Sequence, residues 1–136
     1  MEVIVHHLGD VKFEAAARGH RVICDQPVAN HGGDAGMTPP EFMLASLGTC
    51  AGYYAAEYLR TRGLSTVGLE VRVTAEKAAA PARLAAFRVE VTVPDLDSRH
   101  EAGILRSVKA CLIHNTLLNA PAIEIALETR VPATIG

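Results

Sequence analysis

Apolar and polar positions alternate along the N-terminal part of the chain. Val3 and Val5 are interleaved with Glu2, Ile4 and His6; beyond Gly9-Asp10, Val11, Phe13 and Ala15 are interleaved with Lys12, Glu14 and Ala16. A period of two marks a strand with unlike faces, and the Gly-Asp between the runs supplies a turn, so the pattern predicts a β-hairpin. Arg18-Gly19-His20 offers a second turn, followed by a short third strand over 21–25. From 26 to 37 the glycines at 32, 33 and 36 predict a loop. The period then changes. Met43, Leu47, Cys50 and Tyr54 recur at helical spacing, and Leu44, Gly48, Ala51 and Ala55 give a second apolar side, which predicts a helix buried inside the molecule. Thr38-Pro39-Pro40-Glu41 marks its start: a hydroxyl to accept an orphan N–H, a proline at the first helical position, and a glutamate three residues after the threonine. The helix is expected to run to about Arg62, with Gly63 as its stop.

Two long strands follow. Leu69, Val71, Val73 and Ala75 alternate with Glu70, Arg72, Thr74 and Glu76; Ala85, Phe87, Val89, Val91 and Val93 repeat the pattern beyond Pro81. Ser98 with Glu101 has the spacing of a second capping box, opening a helix in which Leu105, Val108 and Leu112 form an apolar stripe bordered by Cys111. Ile123, Ile125 and Leu127, alternating with Glu124, Ala126 and Glu128, predict a final strand. The expected order is βββ-α-ββ-α-β, an α+β fold rather than a doubly wound one, in a single domain over 1–136.

Composition narrows the function classes. With 49% hydrophobic and 21% charged residues and a net charge of -2, the chain has no basic footprint for nucleic acid or for a membrane surface. The start lacks a basic segment followed by a long apolar one, so a cytoplasmic location is expected. The longest apolar stretch, 42–56, is shorter than the ~20 residues of a membrane span and is interrupted by Ser46, Gly48, Thr49 and Gly52. The three cysteines, 24, 50 and 111, are odd in number and show no CxxC spacing, which argues against a disulfide framework or a zinc finger. His31 and His114 with these cysteines match no zinc spacing, so neither a metal nor a cofactor is expected.

Cys50 is flanked by Gly48, Thr49, Ala51 and Gly52, small residues that let a ligand or another backbone approach its sulfur. A free cysteine in a buried helix is otherwise a small hydrophobe. Cys111 is followed at helical i+3 by His114, whose imidazolium would favour a thiolate; the plainer alternative is a histidine near solvent at a helix end. Cys24, on a strand beside Val22, reads as core.

The stretch 33–50, GDAGMTPPEFMLASLGTC, resembles the signature helix of the OsmC/Ohr family, in which a Pro-Glu start leads to an Ala-rich LGxC segment. The stretch 108–117, VKACLIHNTL, is similar to that family's second-cysteine motif, and RGHRVICD near the N-terminus matches more weakly. The resemblance implies an intertwined homodimer with two central helices packed on antiparallel sheets and active sites at the subunit interface. It also implies a thiol peroxidase acting on organic, fatty-acid-like hydroperoxides in stress defence, in which Cys50 attacks and Cys111 resolves. Turnover then needs an external thiol reductant. Peroxidase members further use an N-terminal arginine beside the thiolate and a glutamate that orients it, for which Arg21, with Arg18 in reserve, and Glu41 are the matching residues. Two departures stand out. Glu41 lies one residue later than in the peroxidase pattern, which turns it by roughly 100° around the helix and leaves a pure capping role open. Leu112 stands where many relatives have proline. An OsmC-like ligand-binding or stress-associated protein without rapid turnover is therefore the alternative function, and a dimeric module with structural cysteines a third.

Overall fold

The structure is a computed structural model that describes residues 1–130. The N-terminal alternation folds into β1 (Ile4–Gly9), β2 (Lys12–Ala17) and β3 (His20–Cys24), an antiparallel sheet in that order. Both turns use backbone with positive φ, at Gly9 and Asp10 (112° and 47°) and at Arg18 and Gly19 (51° and 82°), which suits the right-handed twist of the paired strands. The third strand begins one residue earlier than its sequence pattern suggests. The sheet leaves Val3, Ile4, Val5, Phe13 and Val22 exposed.

Between β3 and the first helix, the loop is organised around one carboxylate. Asp25 is only 2% exposed, and its side chain accepts from the N–H groups of Gln26, Gly33 and Ala35 at 2.8, 3.1 and 3.0 Å. A Cβ at Gly36 would collide with the Ile23 carbonyl, so the loop closes against β3 only because that position has no side chain. The Ala35 and Gln26 amides hold the Asp25 carboxyl below the ordinary 3.8, against an opposing push from burial. Its contribution to stability is therefore present above pH 3.8 and is lost as pH falls through its lower folded value. Asp25→Asn is expected to lower the urea midpoint at pH 7 and to flatten the acid limb of stability below pH 3.8; an unchanged acid limb would refute this anchoring role.

Helix α1 spans Pro39–Thr61 and starts as its sequence suggests. The Thr38 N–H and hydroxyl both donate to Glu41 Oε1, at 3.0 and 2.8 Å, and the Glu41 N–H points at Thr38 Oγ1 at 3.5 Å. Arg62 is the C-cap, and Gly63 follows with φ 66°. The buried face is Leu47, Ala51, Ala55, Tyr58 and Leu59, whereas Met43 and Tyr53 are exposed, so within one chain the helix is covered on one side rather than all round. It crosses the hairpin of β4 (Glu70–Ala79) and β5 (Ala82–Thr92), where Val71 pairs with Val91 and Val73 with Val89. A Cβ on Gly48 would lie 3.0 Å from Val73 and one on Gly52 3.5 Å from Val71, so these two glycines set how closely helix and sheet approach. The core gathers Ala55, Tyr58, Leu59 and Ile104 under Leu64, Leu69, Val91 and Val108.

The C-terminal part departs from expectation in three ways. Ser98 forms no capping box: 98–100 is a 3₁₀ turn capped by Asp97, which accepts from the Arg99 N–H at 3.0 Å. The expected second helix is two helices, α2 (Glu101–Lys109) and α3 (Leu112–Leu118), broken at Cys111. No final strand forms among the described residues. Ile123, Ile125 and Leu127 are 79%, 91% and 89% exposed, and the segment pairs with neither of the two sheets. The α+β class holds, but the observed order is βββ-α-ββ-αα.

Candidate active site: two thiols between α1 and α3

Cys50 sits mid-helix on α1, half-buried; Cys111 is fully buried at the break between α2 and α3, and both are free thiols. The break gives Cys111 an extended backbone (φ -55°, ψ 131°) and makes it the N-cap of α3, its Sγ 3.5 Å from the His114 N–H. Helix α3 packs on α1, and the two cysteine side chains interact.

The environments of the two sulfurs push them apart. Burial raises the Cys50 thiol, but hydrogen bonds from the Cys111 thiol and from the Ile113 and Leu112 N–H groups outweigh it, and the net direction is down from the ordinary 9.0. Cys111 is raised, by burial first and then by its bond to Cys50, with the His114 and Ile113 amides opposing. Of the two, Cys50 is the sulfur whose surroundings favour the anion and Cys111 the one whose surroundings favour the thiol. That division suits nucleophile and resolving thiol, since the anion attacks and the neutral partner condenses afterwards.

The other expected site residues lie elsewhere. Arg21, on β3, places its Nη1 2.7 Å from Glu14 Oε1, with its side chain 69% exposed, and Arg18 occupies the β2–β3 turn. Neither is among the groups that shift Cys50. Glu41 is engaged in the helix cap, where the Thr38 N–H and then its hydroxyl hold the carboxyl below its usual range. The His114 ring does not serve a sulfur; its Nδ1 lies 3.1 Å from the Lys109 carbonyl. Cys24 is half-buried, opposite Phe13 across the β2–β3 ladder, rather than in the core. Unanticipated from the sequence are the Leu112 and Ile113 N–H groups, which do electrostatically part of what the arginine was expected to do.

Beside the pair is a mostly apolar cavity of about 560 Å³, lined by Leu47, Phe87, Val89, Leu105 and Leu117 and by Lys109 and His114. Cys111 lines it; Cys50 does not. No group of three or more potential metal ligands occurs among the described residues.

The family model described as OsmC-like protein matches residues 31–126, which include both thiols. No curated protein matches the sequence. Solved structures share the fold. A Psychrobacter arcticus protein described as an osmotic stress induced and detoxification response protein superposes with a TM-score of 0.77 at 22% identity, covering 84% of this chain and 85% of its own. An OsmC-like protein of Mycoplasma pneumoniae gives 0.72 at 19% identity, over 88% and 87% of the two chains. The organic hydroperoxide resistance protein OhrB of Bacillus subtilis gives 0.56 at 16% identity, over 88% and 93%.

Proposed function

Since the chain belongs to the OsmC-like protein family, we propose that it is a thiol-dependent peroxidase reducing organic, fatty-acid-like hydroperoxides through Cys50 and Cys111, in oxidative or osmotic stress defence. The observation that carries this reading is the pair itself: two free thiols, Cys50 mid-way along α1 and the buried Cys111 at the α2–α3 break, whose side chains interact. The Cys50 thiolate attacks the distal hydroperoxide oxygen, the O–O bond breaks, and an alkoxide leaves and takes up a proton while the sulfur becomes a sulfenic acid. The Cys111 thiol then displaces hydroxide from that sulfur, giving water and a Cys50–Cys111 disulfide. An external dithiol returns both sulfurs to thiols. No bound cofactor enters these steps. The apolar cavity beside Cys111 suits the chain of a greasy hydroperoxide better than hydrogen peroxide. The direct test is peroxide consumption by the protein with an organic hydroperoxide and excess dithiol; no turnover above the protein-free rate would overturn the proposal.

A homodimer belongs to the same reading. The chain exposes 10691 Å², against about 6,800 Å² for a compact monomer of 14.4 kDa. The excess lies where strands lack neighbours: the apolar positions of β1–β3 and the alternating segment around Ile123, Ile125 and Leu127. A second copy supplies edges for both, and Arg21 enters the site only if the partner's sheet delivers it. Sedimentation at micromolar concentration is expected to give twice 14.4 kDa, and a stable monomer would overturn the dimer.

The alternative, an OsmC-like protein that binds a ligand without rapid turnover, is favoured by one observation. Arg21 is tied to Glu14 and Glu41 to Thr38, so neither attends the thiolate within the chain. No helix among the described residues is long and apolar enough to cross a membrane.

A further inference from the structure

A second pocket, which Cys50 and Cys111 do not line, lies between the last turns of α1 and α2 and reaches Ala110 at the end of α2. Its floor is Tyr58, which is buried and lies against Gly103 so tightly that a Cβ there would collide with the tyrosine ring and hydroxyl. The Arg62 guanidinium carbon stacks 3.7 Å from the ring centroid, and its Nη1 donates to the Tyr58 carbonyl at 3.3 Å. Arg99 Nε donates to His100 Nε2 at 3.3 Å, which makes that nitrogen the acceptor and places the imidazole proton on Nδ1. Nδ1 then donates to the Tyr58 oxygen, 3.0 Å away, and the hydroxyl's own proton is left for another acceptor. The cavity, about 480 Å³, is lined by Tyr58, Arg62, Arg99, Arg106 and Ser107, with no carboxylate among its lining residues.

We propose that this pocket binds a small molecule through its phosphate group, held by Arg62, Arg99 and Arg106 with the hydroxyls of Tyr58 and Ser107. Arg62 and Arg106 lie near helix C-termini, where a cation complements the helix dipole, but Arg99 precedes α2, so the dipole does not account for all three lining one cavity without an acid. Arg62 and Arg106 form no ion pair among the described residues, and Arg99 has only Asp97, at 3.7 Å. Planar guanidinium forks pair bidentately with phosphate oxygens, and a dianion answers three positive charges better than a single carboxylate does. The volume exceeds that of a phosphate group, leaving room for a small organic body.

Calorimetric titration of the intact protein with inorganic phosphate, against potassium chloride at matched ionic strength, tests the proposal. The expected result is saturable binding of one phosphate per chain with a rising unfolding temperature, absent with chloride. Arg106→Gln and Tyr58→Phe, the first on an exposed side chain and the second keeping the buried ring, should each weaken binding about tenfold or more. Consumption of an organic hydroperoxide should stay unchanged in Arg106→Gln. Phosphate heats no larger than those of chloride, or equal affinity in Arg106→Gln, would overturn it.

Discussion

Cys50→Ser is expected to bring hydroperoxide consumption down to the protein-free rate, while Cys111→Ser consumes one equivalent of peroxide per chain and stops. The asymmetry follows from the environments of the two sulfurs. Serine at 50 has no ionisable group in the neutral range, so the nucleophile is lost and the buried Cys111, whose thiol is pushed up, cannot replace it. With Cys50 intact and serine at 111, the first displacement still occurs, but no sulfur stands beside the sulfenic acid to condense with it. Mass spectrometry after dimedone labelling should find the adduct on Cys50 in Cys111→Ser and no such adduct in Cys50→Ser. Cys24→Ser should behave as the parent, because Cys24 lies on β3 opposite Phe13 and is not among the groups that influence Cys50. Full turnover by Cys50→Ser, or equal loss on changing Cys24, would mean that the wrong sulfur has been assigned.

Most local signals were legible, though the Ser98–Glu101 spacing announced a capping box that does not form. Thr38 and Glu41 form the reciprocal cap that their spacing announces, and Gly9-Asp10 and Arg18-Gly19 make the turns their types suit. Long-range geometry was not legible. The break at Cys111 escaped the periodicity because Leu112 continues the apolar stripe of Leu105 and Val108. A proline there, as in many members of the family, would have marked the first residue of a new helix, and its replacement by leucine removes that signal. Arg21 was identified by type and neighbourhood, but its partner depends on strand register: Ala16 pairs with Arg21 and Glu14 with Ile23, which puts Glu14 diagonally across from the guanidinium on one face. The alternation around Ile125 is a strand signal, but period alone does not choose a pairing edge, so the pattern is present and the strand is not.

Alkylation of Cys50 should follow a titration that inflects below the ordinary 9.0, and Cys111→Ala should move that inflection upward. Burial alone would have the opposite sign, since desolvation disfavours the thiolate. The downward direction rests on donors at the sulfur, first the Cys111 thiol and then the Ile113 and Leu112 amides. Alanine at 111 removes the thiol donor while leaving the peptide N–H groups in the chain, so the inflection rises without a gross change of fold. Cys111→Ser keeps a hydroxyl donor at the same place and should move it less, a comparison that separates hydrogen bonding from a mere change in volume. Arg21→Ala should leave the inflection of a single chain untouched, because its guanidinium is bound to Glu14, so an upward shift in the assembled protein would reveal a cation arriving from the partner subunit. A Cys50 that titrates above 9.0 and ignores Cys111→Ala would defeat the peroxidase reading and leave the ligand-binding one standing, for a protonated thiol at neutral pH is a poor nucleophile toward the O–O bond.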